Sequence, residues 1–374
     1  HIEQYGDLIE TLCIGSDVDD YELKKLKLLM EKATNIQTVH WHLGRMWDVV
    51  LRDQHFKNLL QWQHLHTLEL IQVRLDSRPK NMTDFFSVLQ KQLKNLTLYD
   101  VDLQDEVLIE ILKYTQNLEK LDVRKNLHLT LEAYEKLSQN CPKLKALRLD
   151  GHLSGNQYGW LGNLEQLQHL EVYECNLRHS SELLDTLIAH KSEQLQVLYL
   201  FCNFYLESTQ IHKISQLTRL KVLKTSELNE DEAYESVQSL SSLVNLEELS
   251  LKDFIVDDLD LLELVKACLK MKNLFVCCIS NEEFVLSLAK IIQTQNRKTP
   301  FTLWFSRDFN YEECMDYLNL PEVQAVHQLF DLKCTYGNCV TYSWSKCAHN
   351  YADDFYEGCE YNVVEEEDDA GLMQ

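Results

Sequence analysis

The feature that most constrains this chain is a recurring apolar triplet, in which an apolar residue is followed by two variable ones, a second apolar, one variable and a third apolar. It reads Ile9/Leu12/Ile14, Ile36/Val39/Trp41, Leu65/Leu68/Leu70, Leu93/Leu96/Leu98, Leu118/Leu121/Val123 and Leu144/Leu147/Leu149 in the first half. It continues as Leu167/Leu170/Val172, Leu195/Leu198/Leu200, Leu220/Leu223/Thr225, Leu246/Leu249/Leu251 and Leu274/Cys277/Ile279. Thr299 to Phe305 makes a degenerate twelfth member, and successive starts lie 23 to 29 residues apart. Self-similarity at such a period means stacked units, each burying its apolar face against its neighbours. The last two apolar positions alternate with a variable one, the mark of a short strand with one face inward and one outward. Helical spacing follows, as at Leu108, Ile111 and Leu112 in 104–116 and at Leu261, Leu262, Val265 and Leu269 in 258–270.

This pattern resembles that of leucine-rich-repeat proteins, which implies an α/β solenoid: a horseshoe with a parallel concave sheet and outer helices. Of 66 leucines, 60 lie in residues 1–300, so one architecture is expected over residues 1–306. Ten glycines and four prolines are too few for a turn-rich sandwich or a Gly-based nucleotide fold. Units of 25–29 residues leave room for a full helix. The segment Asp150 to Trp160 holds three of the ten glycines, so a shortened helix and a loop are expected there. Residues 307–346, rich in Phe309, Tyr311, Tyr317, Phe330, Tyr336, Tyr342 and Trp344, are expected to cap the last repeat. Residues 347–374 read as an acidic, disordered tail.

At Gln139-Asn140-Cys141-Pro142-Lys143-Leu144 the chain resembles the cysteine-containing repeat of F-box/leucine-rich-repeat proteins, in which a helix ends in Cys-Pro and turns into the next strand. The equivalent stations read Gln116-Asn117-Leu118, Leu243-Val244-Asn245-Leu246 and Met271-Lys272-Asn273-Leu274. That family also favours Asn or Cys three residues past each strand, as at Asn126, Cys175 and Asn203, and the opening Tyr5 to Ile14 resembles its first repeat. An F-box itself is absent from the chain and, if it exists, is expected before His1; Leu320-Pro321-Glu322 imitates only its opening. The resemblance implies a non-catalytic substrate receptor, cytoplasmic or nuclear. Its F-box would dock a Skp-type adaptor of a cullin ubiquitin ligase, and its horseshoe would present a protein substrate for degradation. Rival readings are a regulator similar to Ran GTPase-activating proteins and an acidic-tailed scaffold or chromatin binder.

The net charge of −23 argues against a general nucleic-acid binder, and no long apolar stretch suggests a membrane span. Twelve scattered cysteines fit a reducing compartment better than a disulfide scaffold. No cofactor or metal is expected. His40/His42 and His64/His66 lack a third ligand nearby, Cys277 and Cys278 read as packing, and Cys334, Cys339, Cys347 and His349 match no zinc spacing. Asn81 and Asn95 open glycosylation triplets that read as coincidence. The candidate binding face is the row of variable strand residues Tyr99, Arg124, Arg148, Asp150, Glu171, Tyr173, Tyr199 and Phe201, since Tyr and Arg are favoured at binding hot spots. The same row also reads as a solvated face on which Asp122 pairs with Arg148, or Arg148 with Glu171. Alanine at Tyr199 and Phe201 is expected to abolish capture with little loss of stability.

Overall fold

The computed structural model describes residues 8–335 apart from 15–31, 43–49, 52–55, 57, 58, 61, 76–79, 154–156, 176–180, 203–205, 226–236, 252–256, 277–280, 296, 298 and 307–315. The expected tail, Asn203, Cys277 and Cys278 lie outside them. In chain order the strands are β1 (Thr11–Ile14), β2 (Thr38–His42), β3 (Val50–Leu51), β4 (Thr67–Ile71), β5 (Arg74–Leu75), β6 (Asn95–Tyr99), β7 (Lys120–Asp122) and β8 (Ala146–Asp150). They continue as β9 (His169–Cys175), β10 (Val197–Cys202), β11 (Val222–Thr225), β12 (Glu248–Leu251), β13 (Asn273–Val276), β14 (Phe301–Ser306) and β15 (Phe330–Thr335). Thirteen form one sheet in sequence order, every neighbouring pair parallel, while β3 and β5 pair separately. This is the α/β solenoid the repeat implies.

The apolar ladder sets the register. Leu96 stands opposite Leu121, Leu121 opposite Leu147, Leu147 opposite Leu170 and Leu170 opposite Leu198. All five are buried. A second ladder runs along the turn before each strand, where one carbonyl takes two successive N–H groups of the next repeat. Lys94 O accepts from Glu119 N at 2.7 Å and Lys120 N at 2.9 Å, and Glu119 O from Lys145 N at 2.8 Å and Ala146 N at 3.1 Å.

The eleventh repeat departs from the sequence reading. Leu274 pairs with Leu249 and Val276 with Leu251, so the triplet is Met271/Leu274/Val276 and not Leu274/Cys277/Ile279. Lys272 N and Asn273 N both bond Glu247 O, at 2.7 and 3.1 Å, which locks that register. Leu269, expected on the helix's inner face, is 56% exposed, while Leu264 is buried. The ladder also runs past residue 306: β15 pairs with β14, placing Leu332 beside Leu303. Leu320-Pro321-Glu322 is the entry to a single helical turn, Pro321–Gln324.

Helices lie behind the sheet, at Asp105–Leu112, Leu131–Asn140, Ser181–Lys191, Asp258–Ala267 and Glu282–Thr294 among others. The glycine-bearing repeat has instead the 3₁₀ turn Gly159–Asn163, as its shortness implies. Tyr158 and Trp160 fill the space of the missing helix, Trp160 stacking on Tyr134 at 5.0 Å. From the next helix the buried Lys191 Nζ donates to Gly162 O at 3.2 Å and Leu164 O at 2.7 Å. Gly151 is required for space: a Cβ there would stand 2.4 Å from Cys175 Cβ and 2.5 Å from Cys175 Cα. Gly151→Ala must move the backbone, and about 1–3 kcal/mol of lost stability is expected in urea unfolding.

Candidate protein-binding face

Alternation within each strand turns every second side chain outward. Parallel register then aligns these residues in one row, Thr97, Asp122, Arg148, Glu171, Tyr199, Lys224, Ser250, Phe275, Trp304 and Lys333. Arg124 folds back on its own strand: its Nε donates to Asp122 Oδ1 at 3.0 Å and its Nη2 to Asp122 Oδ2 at 2.8 Å. Arg148 lies between two carboxylates, with Nε 2.9 Å from Glu171 Oε2 and Nη1 3.6 Å from Asp122 Oδ2. Both pairings considered from the sequence are therefore made. Glu171 also accepts from His169 Nε2 at 2.6 Å and from the Tyr173 hydroxyl at 2.9 Å.

Aromatic rings close over these charges. The Arg124 guanidinium lies 5.1 Å from the Tyr99 ring centre and 4.5 Å from that of Tyr173, and Tyr173 stacks on Phe201 at 4.8 Å. Tyr199 meets Phe201 edge-on at 6.1 Å and His169 at 5.6 Å. Mutual coverage buries Tyr99, Asp122, Arg124, Arg148, Asp150, Glu171 and Tyr199, leaving Tyr173 and Phe201 half-buried. Six of the eight expected face residues, Tyr99, Arg124, Arg148, Asp150, Glu171 and Tyr199, thus carry buried charge or a buried ring within a packed layer. Tyr199, 7% exposed with Lys224 Nζ 4.8 Å from its ring, supports the fold, so its alanine variant is expected to cost stability, unlike that of Phe201.

Burial alone would push the Glu171 carboxyl up, but the His169 hydrogen bond and the charges of Arg148 and Arg124 outweigh it and hold the group at about 2. Asp150 goes the other way: burial raises it from 3.8 to about 6, against the Lys125 backbone N–H that bonds it. Across that window the folded carboxyl keeps a proton that the unfolded chain releases, so this group makes stability fall as pH rises. Asp150→Asn is expected to remove that slope and to gain on the order of 1–3 kcal/mol at neutral pH. Urea unfolding across the window measures it; an unchanged slope would show that Asp150 ionises normally.

Sequence reasoning missed a second cluster. Phe275 stacks on Trp304 at 5.4 Å, Lys333 Nζ lies 5.3 Å from the Trp304 ring, and Trp304 Nε1 donates to Asn273 Oδ1 at 3.0 Å. The eleventh triplet read as Leu274/Cys277/Ile279 gave Phe275 no place on the outward row. Between the clusters Lys224 pairs with Glu248 at 2.9 Å.

His40 bonds Glu69 at 2.5 Å and His42 bonds Gln72 at 3.1 Å, each across to the next strand. Among the described residues no cluster of His, Cys, Asp and Glu could hold a metal ion, and no helix is long and apolar enough to cross a membrane. Asn126 does what its station implies: its Nδ2 donates to Leu98 O, Val123 O and Arg124 O, and its Oδ1 accepts from Val101 N and Leu103 N. Cys141 caps its helix and its Sγ donates to Thr115 O at 3.7 Å, while Lys143 Nζ reaches Asn117 Oδ1 at 2.6 Å. The corrected register reveals a counterpart: Cys268 Sγ donates to Leu243 O at 3.5 Å and Lys270 Nζ to Asn245 Oδ1 at 2.7 Å.

No family model and no curated protein matches the chain. Among solved structures, the yeast Rad7 and Elc1 complex is similar at 14% identity and TM-score 0.45, covering 68% of this chain and 72% of that one. The leucine-rich-repeat protein LegL7 of Legionella pneumophila gives 11% and 0.41, covering 87% and 91%. A leucine-rich-repeat protein of Leptospira interrogans gives 16% and 0.37, covering 90% and 91%. The α/β solenoid rests on this chain's own register and repeat.

Proposed function

We propose that this chain is a non-catalytic protein-recognition module whose outward sheet face takes a protein partner. The observation that carries this reading is the preorganised stack of Tyr99, Arg124, Tyr173 and Phe201 across the strands. Aromatic and arginine side chains held rigid on a scaffold bind with little ordering cost. The finer reading is a substrate receptor of the F-box/leucine-rich-repeat kind, working in the cytoplasm or nucleus. Its support is the paired stations Cys141/Lys143/Asn117 and Cys268/Lys270/Asn245, the second absent from the sequence reading and built like the first. In this role the chain contributes positioning, and ubiquitin transfer belongs to its partners. The chain extended by the codons upstream of His1 is expected to co-purify with a Skp-type adaptor and a cullin. Absence of both from the purified material contradicts the ligase reading while leaving the recognition face open to test.

A further inference from the structure

The charged groups of the sheet face leave little for a charged partner to neutralise. Arg124 is held by Asp122 at 2.8 Å, Arg148 by Glu171 at 2.9 Å, Lys224 by Glu248 at 2.9 Å and Lys333 by Asp331 at 3.4 Å. These cations and carboxylates balance one to one. The first three pairs are also buried, with side-chain exposures between 1 and 10%. A phosphate or carboxylate arriving at Arg124 would have to displace a bidentate carboxylate in a low-dielectric layer. What remains open is aromatic: half-buried Tyr173 and Phe201 on β9 and β10, and half-buried Trp304 on β14 beside Phe275 on β13. From the β9/β10 pair to the β13/β14 pair is four strand steps. At about 4.8 Å per step the two platforms stand about 19 Å apart.

We infer that the face recognises an extended polypeptide segment through two aromatic or large apolar anchors about six residues apart, without counter-charge, since an extended chain advances about 3.3 Å per residue. One anchor packs on Tyr173 and Phe201, the other on Trp304. This deepens the recognition reading above and rests on it.

The test is selection from a displayed library of random peptides about 16 residues long, long enough to span both platforms, against the full chain. Selected peptides are expected to carry two aromatic or large apolar residues at that spacing, without enrichment in Asp or Glu. Their affinity should change less than about twofold between low and high salt, because Arg124, Arg148, Lys224 and Lys333 are already matched by carboxylates. Phe201→Leu, which keeps bulk but loses the ring, and Trp304→Ala should each weaken binding about tenfold or more, with the melting temperature recorded for each variant. Peptides that need acidic side chains, or whose binding collapses in salt yet depends on Phe201, overturn the inference and leave the binding face standing. Peptides indifferent to both substitutions, or a selection without binders, overturn the inference and the face together.

Discussion

Glu171→Ala is expected to destabilise the chain by about 3–5 kcal/mol, the cost of removing one partner from a buried ion cluster. Glu171 is fully buried and gathers Arg148, His169 and the Tyr173 hydroxyl. Without it the buried Arg148 guanidinium loses its nearer carboxylate, at 2.9 Å, and shares Asp122, at 3.6 Å, with Arg124. Glu171→Gln keeps one acceptor oxygen and the side-chain bulk but loses the charge and the second acceptor, so a smaller loss than for alanine is expected. The two variants also differ from wild type in acid. With the folded carboxyl at about 2 and its ordinary value at 4.5, the unfolded chain binds a proton in that window that the folded chain does not. Stability therefore falls as pH drops through it, and both substitutions should remove that share of the acid sensitivity. Urea midpoints measured for the three proteins across the window decide it. A loss below about 1 kcal/mol for the alanine variant would mean that the cluster is hydrated and not a packed layer.

Asn126→Ala should be comparably costly, by about 3–5 kcal/mol, for a different reason. Asn126 is 1% exposed and satisfies three carbonyls and two N–H groups, of which Leu98 O, Val101 N and Leu103 N belong to the preceding repeat. Each buried backbone group left unpaired costs about 1–3 kcal/mol, partly recovered if water enters. The loss should be local as well as global. Amide exchange is expected to accelerate at Val101 and Leu103 more than in the distant strand β13. Uniform acceleration would show that Asn126 acts as ordinary core and does not tie one repeat to the next.

Ten of the eleven clear repeats were legible in register, because leucine at the second apolar position fixes inward and outward faces with little ambiguity. The eleventh was not, because Leu274-Phe275-Val276-Cys277 offers apolar residues in two frames three residues apart. Met271 and the bonds to Glu247 O choose between them, and no local pattern shows those bonds. That one slip hid both Phe275 and the second cysteine station. β15 was missed although Leu329/Leu332/Cys334 fits the triplet, because the aromatic-rich residues 307–346 were read as a cap. On the candidate face the sequence showed which residues share a row and which charges could pair. It did not show that large side chains from neighbouring strands cover one another, turning exposed positions into a buried layer. Burial of that kind depends on rotamers across several strands, which no single repeat encodes.

The central claim is that the outward sheet face, and not the helical back, meets the protein partner. The direct measurement places a photo-crosslinking amino acid at position 201 on that face or at position 139 on the exposed surface of the helix Leu131–Asn140. Irradiated in cells, the variant at 201 is expected to give a discrete adduct that Trp304→Ala weakens, while the variant at 139 gives none. An adduct from 139 and none from 201 would contradict the account.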